Sequence, residues 1–189
     1  MPEKQLSGVK VAIISTDGVE QVELLEPKKA LEEAGAEVHV IAPKAGKIQG
    51  FKHWDKGDQI SVDLPLDEAK PSSYDAVLLP GGVVNADALR IIKGAQDFVR
   101  MMERAGKPVA VICHGPWLLV SAGLTLGRVL TSWPTLQDDI RNSGAKWEDR
   151  EVIRDTNWVS SRKPADIPAF NREMIRLFAE VKQRTRKAA

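Results

Sequence analysis

The chain has 189 residues, 43% of them hydrophobic and 28% charged, and 27 Lys and Arg against 26 Asp and Glu leave a formal net charge of +1. A chain of this length has enough apolar material for one sizeable core, and one domain spanning 1–189 is expected, with its core over about 9–182. The balanced charge excludes a global field for gripping phosphate backbones or anionic lipid, so neither nucleic acid nor membrane is an expected partner.

One cysteine, Cys113, cannot close an intramolecular disulfide, and three scattered His residues with it make a poor metal cage. A cytoplasmic location is the expectation, with no metal or organic cofactor implied. Met1 to Lys10 carries charges and no apolar segment of the signal-peptide kind, and the longest apolar run, Val109 to Cys113, is far short of a membrane span.

Val9 to Ser15 is nearly continuously apolar and β-branched, as a strand covered on both faces should be. An amphipathic segment from about Val22 to Ala34 predicts a helix, Gly35 its stop, and Glu37 to Ala42 a second strand, which makes a β-α-β unit with parallel strands. Ile48 to Val62 alternates with period two around Asp55, Gly57 and Asp58 and predicts a small hairpin inserted at a sheet edge. Asp75 to Leu79 predicts a strand, Pro80-Gly81-Gly82 a tight turn, and Ala95 to Ala105 a helix. Val109 to Ile112 reads as a buried strand running into Cys113-His114-Gly115 and then a helix over Trp117 to Ala122. A helix over Leu136 to Ser143, short strands at Lys146-Trp147, Glu151 to Arg154 and Asn157 to Ser160, and a last helix from about Ile167 to Lys182 complete the chain. The basic stretch Lys182 to Lys187 is expected as a frayed, solvated tail.

Alternating strands and helices imply a three-layer, doubly wound α/β fold of the flavodoxin-like kind, with a mostly parallel sheet and a small edge hairpin. Such sheets bind ligands beyond the carboxyl ends of their strands. Three turns fall on that edge, Thr16 to Glu20, Pro80 to Asp87 and Cys113 to Gly115, and their convergence is the site hypothesis.

Cys113 sits on a sharp strand-to-helix turn that projects its side chain at the sheet edge, as in nucleophile-elbow hydrolases. A helix N-terminus lowers a thiol pKa, although a lone Cys after an apolar run also reads as a small buried hydrophobe. His114 is adjacent and invites a Cys-His dyad, in which an imidazole takes the thiol proton. The Gly81-Gly82 turn lets backbone N–H groups approach a ligand and, together with the His114 amide, could form an oxyanion hole. Glu20, just after the first strand, could donate a hydrogen bond to a thiolate if burial raised its pKa, or could simply favour the helix dipole. Asp87 reads either as a further acid or as a helix cap. His39 reads as a core or surface strand residue and His53 as a surface residue of the hairpin. The five Trp residues read as packing rather than base stacking. No GxxxxGK[ST], GxGxxG, HExxH or CxxC motif is present.

Five ordered segments, VEQVEL (Val19 to Leu24), LLPGG (Leu78 to Gly82), AVICHGP (Ala110 to Pro116), TSWP with the following DD, and NWVSSRKPAD (Asn157 to Asp166), carry a resemblance to the ThiJ/PfpI family of cysteine hydrolases. That family lies within the class I glutamine amidotransferase-like fold, and the resemblance spans about residues 9 to 180. It implies Cys113 as nucleophile, His114 as its base, Glu20 as the carboxyl beside the thiol, and the Gly82 and His114 amides as the oxyanion hole. It also implies a third triad member from a neighbouring subunit shortly after the PGG turn. Here the match is Asp87, in a turn one residue longer than the usual form. An active homo-oligomer, dimer or hexamer, with the site near the interface would follow.

The function expected on these grounds is thiolate attack on an electrophilic carbonyl in a stress response. The substrate would be a peptide, or methylglyoxal and its glycation adducts. The alternative is a non-enzymatic, redox-sensing or chaperone-like stress protein with an oxidisable Cys113. Same-chain glutamine amidotransfer is excluded because no His follows His114.

Overall fold

The computed structural model describes residues 4–188, with side chains through residue 180. In chain order the first half holds β1 (Lys10–Ile14), β2 (Val19–Glu20), α1 (Gln21–Glu33), β3 (Glu37–Ala42), β4 (Lys47–Lys52), β5 (Asp55–Ser61), β6 (Leu64–Pro65), β7 (Ala76–Leu79) and α2 (Val83–Arg90). The second half holds α3 (Lys93–Arg104), β8 (Val109–Ile112), α4 (Pro116–Ser121), β9 (Val129–Leu130), α5 (Gln137–Asn142), β10 (Lys146–Trp147), β11 (Val152–Asp155), β12 (Trp158–Ser161) and α6 (Ile167–Ala188).

A seven-stranded sheet runs β11-β12-β8-β7-β1-β3-β6, parallel throughout except for the antiparallel edge pair of β11 with β12. Its central strands are apolar on both faces because both are covered. Val11, Ile13, Val40, Leu78 and Ile112 pack with Leu24 and Leu31 of α1 and with Phe170, Met174 and Phe178 of α6. Ala12, Ile14, Val77, Leu79 and Val111 pack with Phe98 and Met102 of α3 and with Leu118 and Leu119 of α4. That alternation is the two-sided strand pattern the sequence displays. Among the described residues no helix is long and apolar enough to cross a membrane.

Three expectations need correction. The hairpin of β4 and β5 does not join the edge of the main sheet; it pairs through β4 with β2 in a separate three-stranded sheet. Its turn falls at His53-Trp54, since Asp55 to Ser61 continue the ladder and Gly57 lies in the strand. The segment after Pro80-Gly81-Gly82 is a helix, α2, where only a turn was expected. The basic stretch 182–187 is carried in the backbone of α6 and is not a frayed tail; its side chains lie outside the described ones.

The chain leaves β1 toward β3 on one side and reaches β7 and β8 on the other. The carboxyl ends of β1, β7 and β8 therefore meet at a topological switch point.

Candidate active site

Cys113 follows β8 with φ of +62°, a left-handed conformation that costs a non-glycine residue about 1–3 kcal/mol. The fold holds it there from both sides. The Cys113 N–H donates to the Ser161 carbonyl at 3.1 Å, and the Cys113 carbonyl accepts from the Trp133 N–H at 3.0 Å. The turn closes when the Gly115 N–H donates to the Ile112 carbonyl at 3.0 Å. Gly115 is required there, because a Cβ would lie 2.6 Å from the Leu79 carbonyl oxygen.

This turn swings the Cys113 sulfur to 3.2 Å from His114 Nδ1, so the two adjacent side chains meet. The His114 ring is held by Trp133, stacked at 5.9 Å, and by the edge of Trp117 at 5.3 Å. Burial between these rings lowers the His114 pKa to about 4, so at neutral pH it is an uncharged imidazole able to accept a proton.

The carboxyl against the thiol belongs to Glu23. Glu23 is fully buried, its Oε2 accepts the Gly81 N–H at 2.9 Å, and that oxygen and the Cys113 sulfur both crowd Gly81, where a Cβ would lie 2.3 Å from the one and 3.0 Å from the other. Burial raises its pKa to about 8, opposed by the contacts to Cys113 and the Gly81 amide. Glu20, the residue expected in this role, ends β2 and enters α1 through its backbone. Its side chain turns to the hairpin, where Oε2 accepts the His53 N–H at 3.1 Å. The reason is helical phase: Glu23 lies on the face of α1 that also buries Leu24, Pro27 and Leu31, whereas Glu20 precedes that face. The same period in the sequence marks Glu23.

The Gly82 and His114 amides beside the sulfur pull the thiol pKa down. Burial, and an ionised Glu23 beside it, push it up, and the upward effects are larger, contrary to the lowering expected at a helix start. Glu23 and Cys113 therefore titrate as a pair. When one proton leaves, the remaining proton can sit on the carboxyl and be donated to a sulfur that also receives two backbone N–H groups. That is the arrangement a thiolate needs.

The sulfur opens into a cavity of about 440 Å³ whose lining includes Glu20, Phe51, His53, Trp54, Val84 and Trp133. No Lys or Arg is among its lining residues. Phe51, His53 and Trp54 come from the hairpin, and sequence reasoning missed them as site residues because nothing local indicates that β4 pairs with β2. His39 is remote from this cavity; its ring bonds Tyr74 and Glu37. Asp87 sits on an exposed face of α2 and does not line the cavity, so within one chain it does not reach His114. Among the described residues no three His, Cys, Asp or Glu side chains are grouped to hold a metal ion.

A buried cysteine on a strained elbow, with an imidazole, a protonatable carboxyl and two amide donors on a doubly wound sheet, defines a cysteine-dependent enzyme of the hydrolase class. Comparison with known proteins agrees. Residues 9–177 match the DJ-1/PfpI family, and the chain belongs to that family. It is 46% identical over 169 residues to Deglycase TK1284 of Thermococcus kodakarensis, covering 89% of this chain and 99% of that one. It is 42% identical over 170 residues to Protein/nucleic acid deglycase 2 of Escherichia coli, covering 89% and 96% of the two chains. Drosophila melanogaster DJ-1beta superposes with a TM-score of 0.81 at 26% identity, over 93% of this chain and 96% of that one.

Proposed function

We propose that the protein is a cysteine-dependent deglycase-type hydrolase acting on small 2-oxoaldehydes such as methylglyoxal and on their adducts with amines. The observation that carries this reading is the contact set of the Cys113 sulfur: His114 Nδ1 at 3.2 Å, Glu23, and the N–H groups of Gly82 and His114. As the sulfur adds to a carbonyl carbon, the thiol proton passes to His114. The carbonyl π pair moves onto oxygen, which the two amides receive. For methylglyoxal the resulting thiohemiacetal carries its former aldehyde hydrogen on carbon, and lactate forms only when that hydrogen moves to the neighbouring carbon as a proton. Glu23, buried with Oε1 lacking a hydrogen-bond partner, is the group placed to carry it: its carboxyl first gives its own proton to the carbonyl oxygen, and the carboxylate so formed takes the hydrogen from one carbon and returns it to the next. Water then cleaves the sulfur–carbon bond and restores the thiol.

The mostly apolar cavity walls, with no Lys or Arg among them, suit a small neutral carbonyl compound, and the deglycase names of the relatives support the same chemistry. The test is lactate formation from methylglyoxal by the wild type and Cys113→Ala, with intact mass recorded before and after. Many turnovers lost in the variant are expected. Equal activity in the variant would overturn the reading.

A peptide carbonyl would enter the same steps as an acyl group. A second, redox-sensing reading is favoured by one observation, that Glu23 Oε1 is free beside the only thiol and could hold an oxidised sulfur. Peroxide titration that ends after one modification per thiol, with no carbonyl turnover, would favour it.

The active unit in this proposal is a homo-oligomer. Asp87 lies outside its own chain's cavity, and Trp54, Val83 and Val84 leave exposed apolar surface around the mouth. A partner subunit would cover that surface and could bring its own Asp87 to the site. A cytoplasmic location fits a single thiol with no disulfide partner.

A further inference from the structure

Asn85, in the first turns of α2, is fully buried and makes four hydrogen bonds, although it neither lines the cavity nor touches the sulfur. Its Oδ1 accepts the Thr16 N–H at 2.7 Å and the Ser15 hydroxyl at 3.2 Å. Its Nδ2 donates to the Pro80 carbonyl at 3.2 Å and to the Gly81 carbonyl at 2.9 Å. The Thr16 N–H can only donate, so it fixes which end of the amide is oxygen.

The two carbonyls held by Nδ2 belong to consecutive peptide units, and no peptide bond in the described chain is cis. In a trans peptide the C=O and N–H point in opposite directions. Holding the Pro80 carbonyl therefore aims the Gly81 N–H away from Asn85, and that N–H meets Glu23 Oε2. Holding the Gly81 carbonyl aims the Gly82 N–H away in the same manner, on the side of the Cys113 sulfur, whose pKa that N–H lowers. The Glu20 N–H also donates to the Gly81 carbonyl at 3.3 Å, so the second unit is held twice.

A Gly-Gly peptide needs such support, because neither residue has a Cβ to resist rotation of the unit between them. Rotated by half a turn, it would present a carbonyl oxygen to the sulfur, which repels a thiolate and an oxyanion alike. Gly81 and Gly82 cannot be replaced to stiffen it. A Cβ on Gly81 would lie 2.3 Å from Glu23 Oε2, and one on Gly82 would lie 2.3 Å from the Gly18 carbonyl oxygen at a φ of +89°.

We infer that Asn85 is a positioning residue for the active site, whose side-chain amide locks the Pro80-Gly81-Gly82 backbone so that its two N–H groups serve Glu23 and Cys113. The inference deepens the proposed function by naming what orients the Gly82 half of the oxyanion hole, and its mechanistic meaning rests on that reading.

Asn85→Asp tests it. The substitution keeps size and the acceptor toward Thr16, but sets a carboxyl oxygen against two carbonyls where two donors stood. Two measurements are made on the full chain: kcat and KM for methylglyoxal, and the rate of iodoacetamide alkylation as a function of pH. Cys113 is the only thiol, so alkylation reads that sulfur directly. Removing one oxyanion donor costs about 100- to 1000-fold in kcat, and a donor that is misaimed part of the time should cost about 10- to 100-fold. The expected result is that loss with KM within about twofold, together with an alkylation midpoint displaced to higher pH.

Ser15→Ala, which removes one partner of Oδ1 and leaves both Nδ2 bonds, should match the wild type in both measurements. If Asn85→Asp does not fold, Asn85→Ala, which introduces no charge, carries the same expectation. A variant that alkylates with the wild-type pH profile, or that loses activity through KM alone, overturns the inference. If the wild type shows no Cys113-dependent turnover, the proposed function fails instead, and the alkylation profile still decides the role of Asn85.

Discussion

At the scale of single residues, the site depends on which of two glutamates in VEQVEL faces the sheet. Both are legible as candidates in the sequence. Choosing between them requires the phase of α1, which buries Glu23 with Leu24, Pro27 and Leu31 and leaves Glu20 to bond the His53 backbone. The choice has a measurable consequence. Glu23 has a folded pKa of about 8 against 4.5 for the unfolded chain, so the folded state holds its proton more tightly over that range. The contribution of Glu23 to stability must therefore decline as pH rises from about 4.5 to about 8, and Glu23→Gln should remove that contribution. Thermal melts of the two proteins should nearly coincide at pH 4.5, with the variant ahead by several degrees at pH 8. Parallel curves across the range would show that Glu23 is not held protonated. His114, whose pKa is lowered to about 4, contributes in the opposite sense: its stabilisation is lost as pH falls from about 6.5 to about 4, equally in both proteins.

At the scale of elements, the β8–α4 junction is legible in VAVICHGP because apolar strand, turn and helix follow one another without interruption. What sequence could not supply is the reason for the glycine in it. Gly115 has an ordinary backbone conformation, and what forbids a side chain is the Leu79 carbonyl of the neighbouring strand at 2.6 Å from a would-be Cβ. Gly115→Ala should therefore destabilise by about 1–3 kcal/mol through backbone displacement, and should lower activity further by moving the elbow. Chemical denaturation and turnover measured together check this; a neutral change in both would mean the junction gives way freely. The β4–β5 hairpin shows the converse limit. Its period-two pattern indicated two strands, but the register and the partner strand depend on β2, two residues long, which carries no period of its own. The contribution of Phe51, His53 and Trp54 to the cavity was hidden for that reason.

At the scale of the whole molecule, Asp87 is exposed on α2 and outside its own chain's cavity, so its proposed role is meaningful only between subunits. On that proposal Asp87→Asn, like Cys113→Ala, should lack activity by itself, and mixing the two variants and allowing subunits to exchange should restore it. Each mixed pair then holds one site with Cys113 from one chain and Asp87 from the other. No recovery, with exchange verified by mass, would remove Asp87 from the mechanism. The sequence by itself determined the layered α/β architecture, the strands of the core, and Cys113-His114 at a strand–helix turn. These rest on local periodicity and on residues adjacent in the chain. Only the tertiary structure decided that Glu23 meets the sulfur, that a hairpin supplies one wall of the cavity, and that Asn85 holds the Gly81 and Pro80 carbonyls. The first two are contacts between segments tens of residues apart, and the third is fixed by one, because Asn85 holds its near neighbours while bonding the Thr16 N–H 69 residues away; all are made when parallel strands align their carboxyl ends.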